Sequence, residues 1–221
     1  MNERNLATVM RAIQMTGLPG VLRRFRPEGG ACLLMFHGFT DVSSEPGIGN
    51  ASELNLDIAV FEEMCALLAE HYSVISLDEA VVRLREGEAL PPRTVVLTFD
   101  DGYGSNYELA FPVLKKYGLP ATIFVATEFV DERVALWPDR IEYAVGHSEA
   151  GELRYPLDGG ERVFEIETVE KRRRVAEDLT GALKMVPQEY LKEHVGKIEE
   201  ALGCSLGVVP AAMPAIYRPL E

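Results

Sequence analysis

Short apolar runs alternate with amphipathic segments along the chain from residue 31 onward. Residues 32–36 and 95–99 are almost continuously apolar, which is typical of strands that are buried on both faces. The segments between the runs have the apolar spacing of helices and are long enough to connect parallel strands. We therefore predict an α/β fold in which strands at residues 32–36, 73–76, 95–99 and 123–126 are parallel neighbours in one sheet flanked by helices.

Local signals mark where the helices of this part begin. Asp57, Ser76 and Ser105 each precede a helical pattern, and side chains of this type commonly cap helix N-termini. A glutamate three residues after each serine completes the spacing of a capping box. Residues 38–55 are rich in Gly, Ser and Pro, and we predict a loop there.

The pattern of apolar residues changes after residue 127. Alternating apolar residues on either side of Asp158-Gly159-Gly160 predict a β-hairpin, and two charged amphipathic helices follow it. We expect three parts in the chain: a helical N-terminal segment at 1–30, an incomplete α/β core at 31–130, and an α-rich insertion with a β-hairpin at 131–221.

Composition narrows the classes of function. The 221 residues include 22 Lys and Arg against 35 Asp and Glu, a net charge of −13, which argues against nucleic-acid binding through phosphate contacts. No apolar run reaches the roughly 18–20 residues of a transmembrane helix. Residues 1–26 lack a secretory pattern, which leaves the compartment open with a cytoplasmic location as the default expectation. Cys32, Cys65 and Cys204 have no metal-binding spacing, and we predict them to be core residues.

The stretch Thr98-Phe99-Asp100-Asp101-Gly102 carries the strongest chemical signal. It lies where a buried strand ends and a helix is about to begin, the edge at which parallel α/β proteins collect their catalytic groups. Two adjacent carboxylates repel each other, and a divalent cation relieves that repulsion when one aspartate binds it and the other stays free as a base. The alternative is a plain turn, because Asp and Gly both favour turns.

With these residues in view, the chain resembles the polysaccharide deacetylases, the NodB-like domains of carbohydrate esterase family four. The resemblance covers roughly residues 32–130. The matching positions are residues 95–102, Asn106-Tyr107, Phe111-Pro112, Gly118, residues 120–125, and the Met35-Phe36-His37 step on the first strand.

This resemblance implies an α/β fold of the kind found in a distorted (β/α) barrel, here partial, with a metal-dependent hydrolase site. The implied reaction removes acetyl groups from an acetylated polysaccharide, and de-N-acetylation is the first expectation, although the residues leave O-acetyl substrates open. By similarity, Asp100 would be the catalytic base and Asp101 a ligand of a divalent metal, with zinc expected first. His37, at the end of the first strand and facing the same edge, would be a substrate-binding residue or a group that supports the metal ligands, and direct metal binding by His37 is the other alternative.

One part of the family pattern is missing. The resemblance implies a His-[Ser/Thr]-x-x-His-Pro motif after the aspartate pair. The histidines in residues 102–221 are only two, His147 and His194, and they do not form this motif. We interpret both as structural or surface residues. The family's later Arg-x-Pro-aromatic motif is also absent, and Arg218-Pro219-Leu220 resembles it only superficially. We therefore expect a chain truncated before the metal-binding histidines, inactive alone, with an open sheet edge that a homodimer could cover. The alternative is a catalytically incomplete domain that acts as a saccharide-binding or interaction module.

Overall fold

The computed structural model describes residues 30–41, 55–157, 160–210 and 213–220. The predicted helical segment at 1–30 lies outside the described residues except for Gly30. In the part of the chain that the structure describes, no helix is long and apolar enough to cross a membrane.

Four parallel strands form one sheet in the first half of the chain. Strand β1 (Ala31–Phe36) pairs along its whole length with β5 (Thr94–Phe99). The other side of β5 pairs near its start with β4 (Ser73–Val74) and near its end with β6 (Thr122–Ile123). The predicted parallel sheet is confirmed, and all six residues of β5 are buried, as a strand covered on both faces requires.

Strands β4 and β6 are shorter than predicted, with two residues each. After β4, the Ile75 N–H still donates to the Val95 carbonyl oxygen (3.1 Å), but Ser76 already caps the next helix. After β6, the Phe124 N–H donates to the Phe99 carbonyl oxygen (2.8 Å), and β5 has no further residue for the chain to pair with. The helix cap at Ser76 therefore ends the pairing of β4, and the end of β5 limits the pairing of β6.

A second, smaller pair of parallel strands was not predicted. Strands β2 (Gly38–Thr40) and β3 (Asn55–Asp57) pair in register, so the loop predicted for residues 38–55 is wrong at both of its ends. The strand at β2 is stabilised by burial, because Phe39 is fully buried with its ring centroid 4.6 Å from that of Phe61. The Gly, Ser and Pro residues around Phe39 favour a loop, so the sequence did not indicate that Phe39 would be buried in a strand.

The helices that follow these strands are α1 (Ile58–His71), α2 (Leu77–Glu86) and α3 (Phe111–Tyr117). Two predicted caps are confirmed: Asp57 accepts hydrogen bonds from two N–H groups of α1, and the Ser76 hydroxyl accepts one from the Glu79 N–H at 3.1 Å. The cap predicted at Ser105 is wrong. Its hydroxyl instead accepts a hydrogen bond from the Phe39 N–H (3.0 Å), and a π-helical turn, Asn106–Ala110, precedes α3.

The second half of the chain is mainly helical, with the predicted antiparallel hairpin. Its elements are α4 (Thr127–Glu132), α5 (Trp137–His147), β7 (Glu152–Leu157), β8 (Gly160–Glu165), α6 (Val169–Leu183) and α7 (Gln188–Leu202). Helices α5, α6 and α7 and the hairpin share one buried apolar cluster, which includes Ile141, Leu153, Leu179 and Val195. The three-part division of the chain stays a prediction.

The mixed α/β architecture with parallel strands is confirmed, whereas the barrel and the homodimer stay predictions. Among the described residues β1 pairs on one side only, and Leu33 and Met35 on it are 57% and 61% exposed. Of the three cysteines predicted to be core residues, Cys32 is half-buried and packs against the apolar cluster of the sheet, whereas Cys204 is half-buried without a place in that cluster. Cys65 is buried as predicted, and burial, with a smaller contribution from nearby Glu62, raises the pKa of its thiol to about 11.

Candidate active site

The predicted site residues follow two neighbouring parallel strands. In the register of β1 with β5, Phe36 lies opposite Phe99, and the Asp100 N–H donates to the Phe36 carbonyl oxygen at 2.8 Å. His37 and Asp100 are the next residues along the two strands, so both lie at the same carboxyl edge of the sheet. The backbone thus places His37 and the aspartate pair at the same edge of the sheet.

The turn after β5 has an unusual backbone. Asp101 has φ of 72° and Gly102 has φ of 82°, so two successive residues adopt the left-handed region. The Gly102 N–H donates to the Asp100 carbonyl oxygen (2.9 Å), and the Ala126 N–H donates to that of Asp101 (3.0 Å). Aspartate is one of the few side chains that tolerate this conformation, and such strain tends to cluster at functional sites.

The carboxyl group of Asp101 lies in an environment that disfavours its charge. Burial raises the pKa of Asp101, the nearby His37 lowers it, and the neighbouring Asp100 raises it. All three predicted site residues are therefore close enough to influence one carboxyl group. A cation bound at this point would favour the ionised form and relieve both the burial cost and the repulsion.

Residues that follow the aspartate pair tie β5 to β1. The side-chain amide of Asn106 donates to the His37 carbonyl oxygen at 2.7 Å, next to the Ser105 contact with Phe39. Asn106 is 1% exposed, and its side-chain oxygen has no hydrogen-bond partner among the described residues. Asn106 belongs to the family match, but only the structure shows that it fixes the strand end that carries His37.

The segment 213–220 packs directly on the turn that carries the aspartates. The Leu220 N–H donates to the Gly102 carbonyl oxygen, and the Gly104 N–H donates to that of Arg218, both at 2.7 Å. The Ser105 N–H donates to the carbonyl oxygen of Ala215 at 3.1 Å. The backbone of the candidate site is therefore supported by Arg218-Pro219-Leu220, a stretch whose sequence resembles the family motif only superficially.

A metal site can be assembled only in part from these residues. The carboxylate of Asp101, with an imidazole nearby, offers donor types that zinc binds. In the regions that the structure describes, however, no three His, Cys, Asp or Glu side chains lie close enough to hold a metal ion together. A catalytic zinc site usually has three protein ligands. The carboxylate and the imidazole are suitable types of zinc ligand, and the further ligands would have to come from elsewhere in the protein.

The two histidines that follow the aspartate pair, His147 and His194, lie in the helical half and contact tyrosines. The His147 ring stacks on Tyr143 with centroids 4.1 Å apart, and its Nδ1 is 3.0 Å from the Tyr143 carbonyl oxygen. The Nδ1 of His194 is hydrogen-bonded to the Tyr155 hydroxyl. Each imidazole thus has a local structural contact within the α-rich part.

A buried polar cluster near the site was missed by the sequence analysis. The Tyr103 hydroxyl donates to Asp139 (3.1 Å), and the Tyr217 hydroxyl donates to Glu142 (2.6 Å). Tyr103, Asp139 and Glu142 are only 1%, 7% and 5% exposed. In the sequence, Asp139 follows Trp137-Pro138 and has the signature of an ordinary acidic residue in the first turn of a helix, so nothing indicated its burial.

Gly102 offers a test of how tightly the turn is packed. A Cβ atom at this position would lie 2.9 Å from Cγ1 of Val125, whereas one at Gly118, which has φ of 65°, would have no heavy atom within 4 Å. We expect Gly118→Ala to cost about 1–2 kcal/mol of unfolding free energy from the left-handed backbone alone. Gly102→Ala should cost more, because it adds the contact with Val125. Denaturant unfolding of both variants measures the difference, and equal costs would show that the turn has room for a side chain.

The region that contains the aspartate pair is also the region that matches a known protein family. Residues 87–151 match the family model of the polysaccharide deacetylases. A Bacillus subtilis (strain 168) protein whose name places it among the polysaccharide deacetylases, YxkH, is 30% identical over 116 residues, 52% of this chain and 38% of its own length. The poly-β-1,6-N-acetyl-D-glucosamine N-deacetylase of Escherichia coli (strain K12) is 30% identical over 106 residues, 48% of this chain and 15% of its own length.

Solved structures give a weaker likeness. IcaB from Ammonifex degensii is 29% identical, with 48% of this chain and 42% of that chain covered, at a TM-score of 0.40. The chain spans less than two-fifths of the length of the two curated relatives. The family match at residues 87–151 includes the aspartate pair, Asp100 and Asp101, and in this region the chain is similar to the polysaccharide deacetylases.

Proposed function

We propose that this protein removes N-acetyl groups from a polysaccharide by hydrolysis. The observation that carries the proposal is the position of Asp100 and Asp101, at the carboxyl edge of β5 and inside the residues that match the deacetylase family. Among the relatives, the enzymes named as poly-β-1,6-N-acetyl-D-glucosamine N-deacetylases favour an amide of an amino sugar as the bond that is cleaved. We also propose that the parallel sheet is part of a distorted (β/α) barrel.

In the proposed reaction, Asp100 is the catalytic base. A water molecule attacks the carbonyl carbon of the acetamido group, and the Asp100 carboxylate accepts the proton that the water loses. The carbon–nitrogen bond then breaks, acetate leaves, and the sugar nitrogen takes up a proton to become the free amine. Asp100 can return that proton, which restores the ionised carboxylate for the next cycle.

Asp101 and His37 have different proposed roles. Asp101 is the proposed ligand of a divalent metal, zinc first, because its half-buried carboxylate is the group at this edge that a cation would stabilise. When bound, such an ion would polarise the acetyl carbonyl and make the water more acidic. His37, which follows β1 at the same edge, is proposed to contact the substrate.

A second candidate function is a saccharide-binding or interaction module without catalysis. The observation that favours this function is the small number of possible metal ligands, because the described residues contain no group of three His, Cys, Asp or Glu side chains that could hold a metal ion. The two candidates share the substrate class and differ in whether acetate is released.

Acetate release from an acetylated oligosaccharide tests the proposal. The natural protein that carries this sequence is incubated with β-1,6-linked N-acetylglucosamine oligomers and, separately, with chitin oligomers. Each reaction is run with zinc or cobalt and with a chelator as the metal-free control. We expect metal-dependent release, with the 221-residue chain on its own inactive. Oligomer binding without any release, at every metal, would instead establish the binding module.

A further inference from the structure

We propose that Asp139 is a positioning residue for the aspartate pair, acting through its hydrogen bond with Tyr103, and that Glu142 supports the same region through Tyr217. Both carboxylates lie on helix α5, and both phenols lie in the segments that form the candidate site. This inference rests on the proposed function, because what is positioned is the proposed base and metal ligand. The helical half of the chain would thereby help to shape the chemistry at the end of β5.

The contact between Tyr103 and Asp139 lies two residues beyond Asp101. Tyr103 is 1% exposed, and its ring packs against Phe129 with centroids 5.4 Å apart. Its hydroxyl donates to Oδ2 of Asp139 at 3.1 Å. A phenol this deeply buried needs a hydrogen-bond acceptor, and without one it would have to move or remain unsatisfied. Asp139 therefore limits where the Tyr103 ring, and with it the turn, can lie.

A second contact ties the same helix to the segment that packs on the turn. The Tyr217 hydroxyl donates to Oε1 of Glu142 at 2.6 Å. Tyr103 forms an isolated antiparallel bridge with Pro219, and the Leu220 N–H donates to the Gly102 carbonyl oxygen. The segment 213–220 and the turn are therefore joined to each other by backbone hydrogen bonds. Each is also joined to α5 by a tyrosine hydroxyl, the turn through Tyr103 and the segment through Tyr217.

The electrostatics agree with this arrangement. Burial raises the pKa of Asp139 well above its usual range, nearby Glu142 raises it further, the hydrogen bond from Tyr103 lowers it, and Asp101 raises it slightly. The influence of Asp101 places Asp139 within electrostatic reach of the candidate site. An acceptor in this location does not need a negative charge, so an amide oxygen should replace the carboxyl oxygen.

Three variants of the natural protein separate a positioning role from simple space filling. Tyr103→Phe removes the donor, Asp139→Leu removes the acceptor, and Asp139→Asn keeps an acceptor oxygen. We expect the first two to lower kcat for acetate release about tenfold, equivalent to a loss of about 1.4 kcal/mol, with KM unchanged. The double variant should lose no more than either single variant, because both remove the same bond. Asp139→Asn should stay within about twofold of wild type.

Tyr155→Phe is the matched control, because it removes a tyrosine hydroxyl bonded to His194 within the helical half. It should leave kcat unchanged. Wild-type kcat in both Tyr103→Phe and Asp139→Leu would overturn the inference. A loss in Asp139→Asn equal to that in Asp139→Leu would also overturn it, since the charge and not the hydrogen bond would then matter.

Amide hydrogen exchange provides a readout that does not depend on the proposed activity. The N–H groups of Gly104 and Leu220 donate across the turn and the segment 213–220. We expect both amides to exchange at least tenfold faster in Tyr103→Phe, while amides of α6 and α7 keep their wild-type rates. Unchanged exchange at Gly104 and Leu220 would overturn the inference even if the wild-type protein releases no acetate. Faster exchange without any acetate release would contradict the proposed function and leave the contact itself supported.

Discussion

Asp100→Asn is expected to lower kcat for acetate release by about 10³-fold while the affinity for zinc changes less than twofold. The amide has nearly the same shape as the carboxylate, so the turn after β5 should keep its backbone. The amide cannot accept a proton from the attacking water, so the proposed general-base catalysis should be lost. Kinetic measurement of acetate release, combined with calorimetric titration of zinc into the same preparation of the natural protein, tests both halves of this expectation.

Asp101→Asn is the matched counterpart, because the same change is made one residue away. It should weaken zinc binding at least tenfold, since it removes the proposed charged ligand, and activity should return in part at high zinc concentration. Asparagine also tolerates the left-handed backbone, in which Asp101 has φ of 72°. Equal zinc affinity in the Asp100 and Asp101 variants would show that the proposed roles of the two aspartates are wrong.

The sheet and the edge that carries the aspartates could be predicted because their signals are local. Continuous apolar runs identified β1 and β5, and the parallel order followed from the helical segments between them. Asp100 and Asp101 could be selected because they come directly after a buried strand. The sequence therefore located the candidate chemistry on one edge of the sheet.

Other features depend on contacts between distant residues and have no local signal. Ser105 has the spacing of a cap, yet its hydroxyl bonds the Phe39 N–H, 66 residues away in the chain. Asp139 has the pattern of an exposed acid at a helix start, yet it accepts a hydrogen bond from Tyr103, 36 residues earlier. In each case a tertiary hydrogen bond takes the side chain away from the role that its neighbours in sequence suggest.

The burial of Asp139 also predicts how stability responds to pH. Desolvation raises the pKa of Asp139 above its usual range, with a further rise from Glu142 and Asp101 and an opposing effect of the Tyr103 hydrogen bond. The folded state therefore keeps a proton that the unfolded chain loses above about pH 4. The stabilising contribution is complete below that pH and is lost as the pH rises toward the higher pKa of the folded state.

Asp139→Asn should remove this loss, because the amide does not titrate and can still accept the Tyr103 hydrogen bond. We expect the unfolding free energy of the variant, relative to wild type, to increase by up to about 1.4 kcal/mol per pH unit above about pH 4. Urea unfolding of both proteins between pH 5 and pH 7 measures the difference. Asp178→Asn, which makes the same substitution at an exposed aspartate of α6, is the control for the chemical change itself. A curve for Asp139→Asn parallel to that of wild type would show that Asp139 is ionised in the folded protein, and that its contact with Tyr103 is a charge-assisted hydrogen bond.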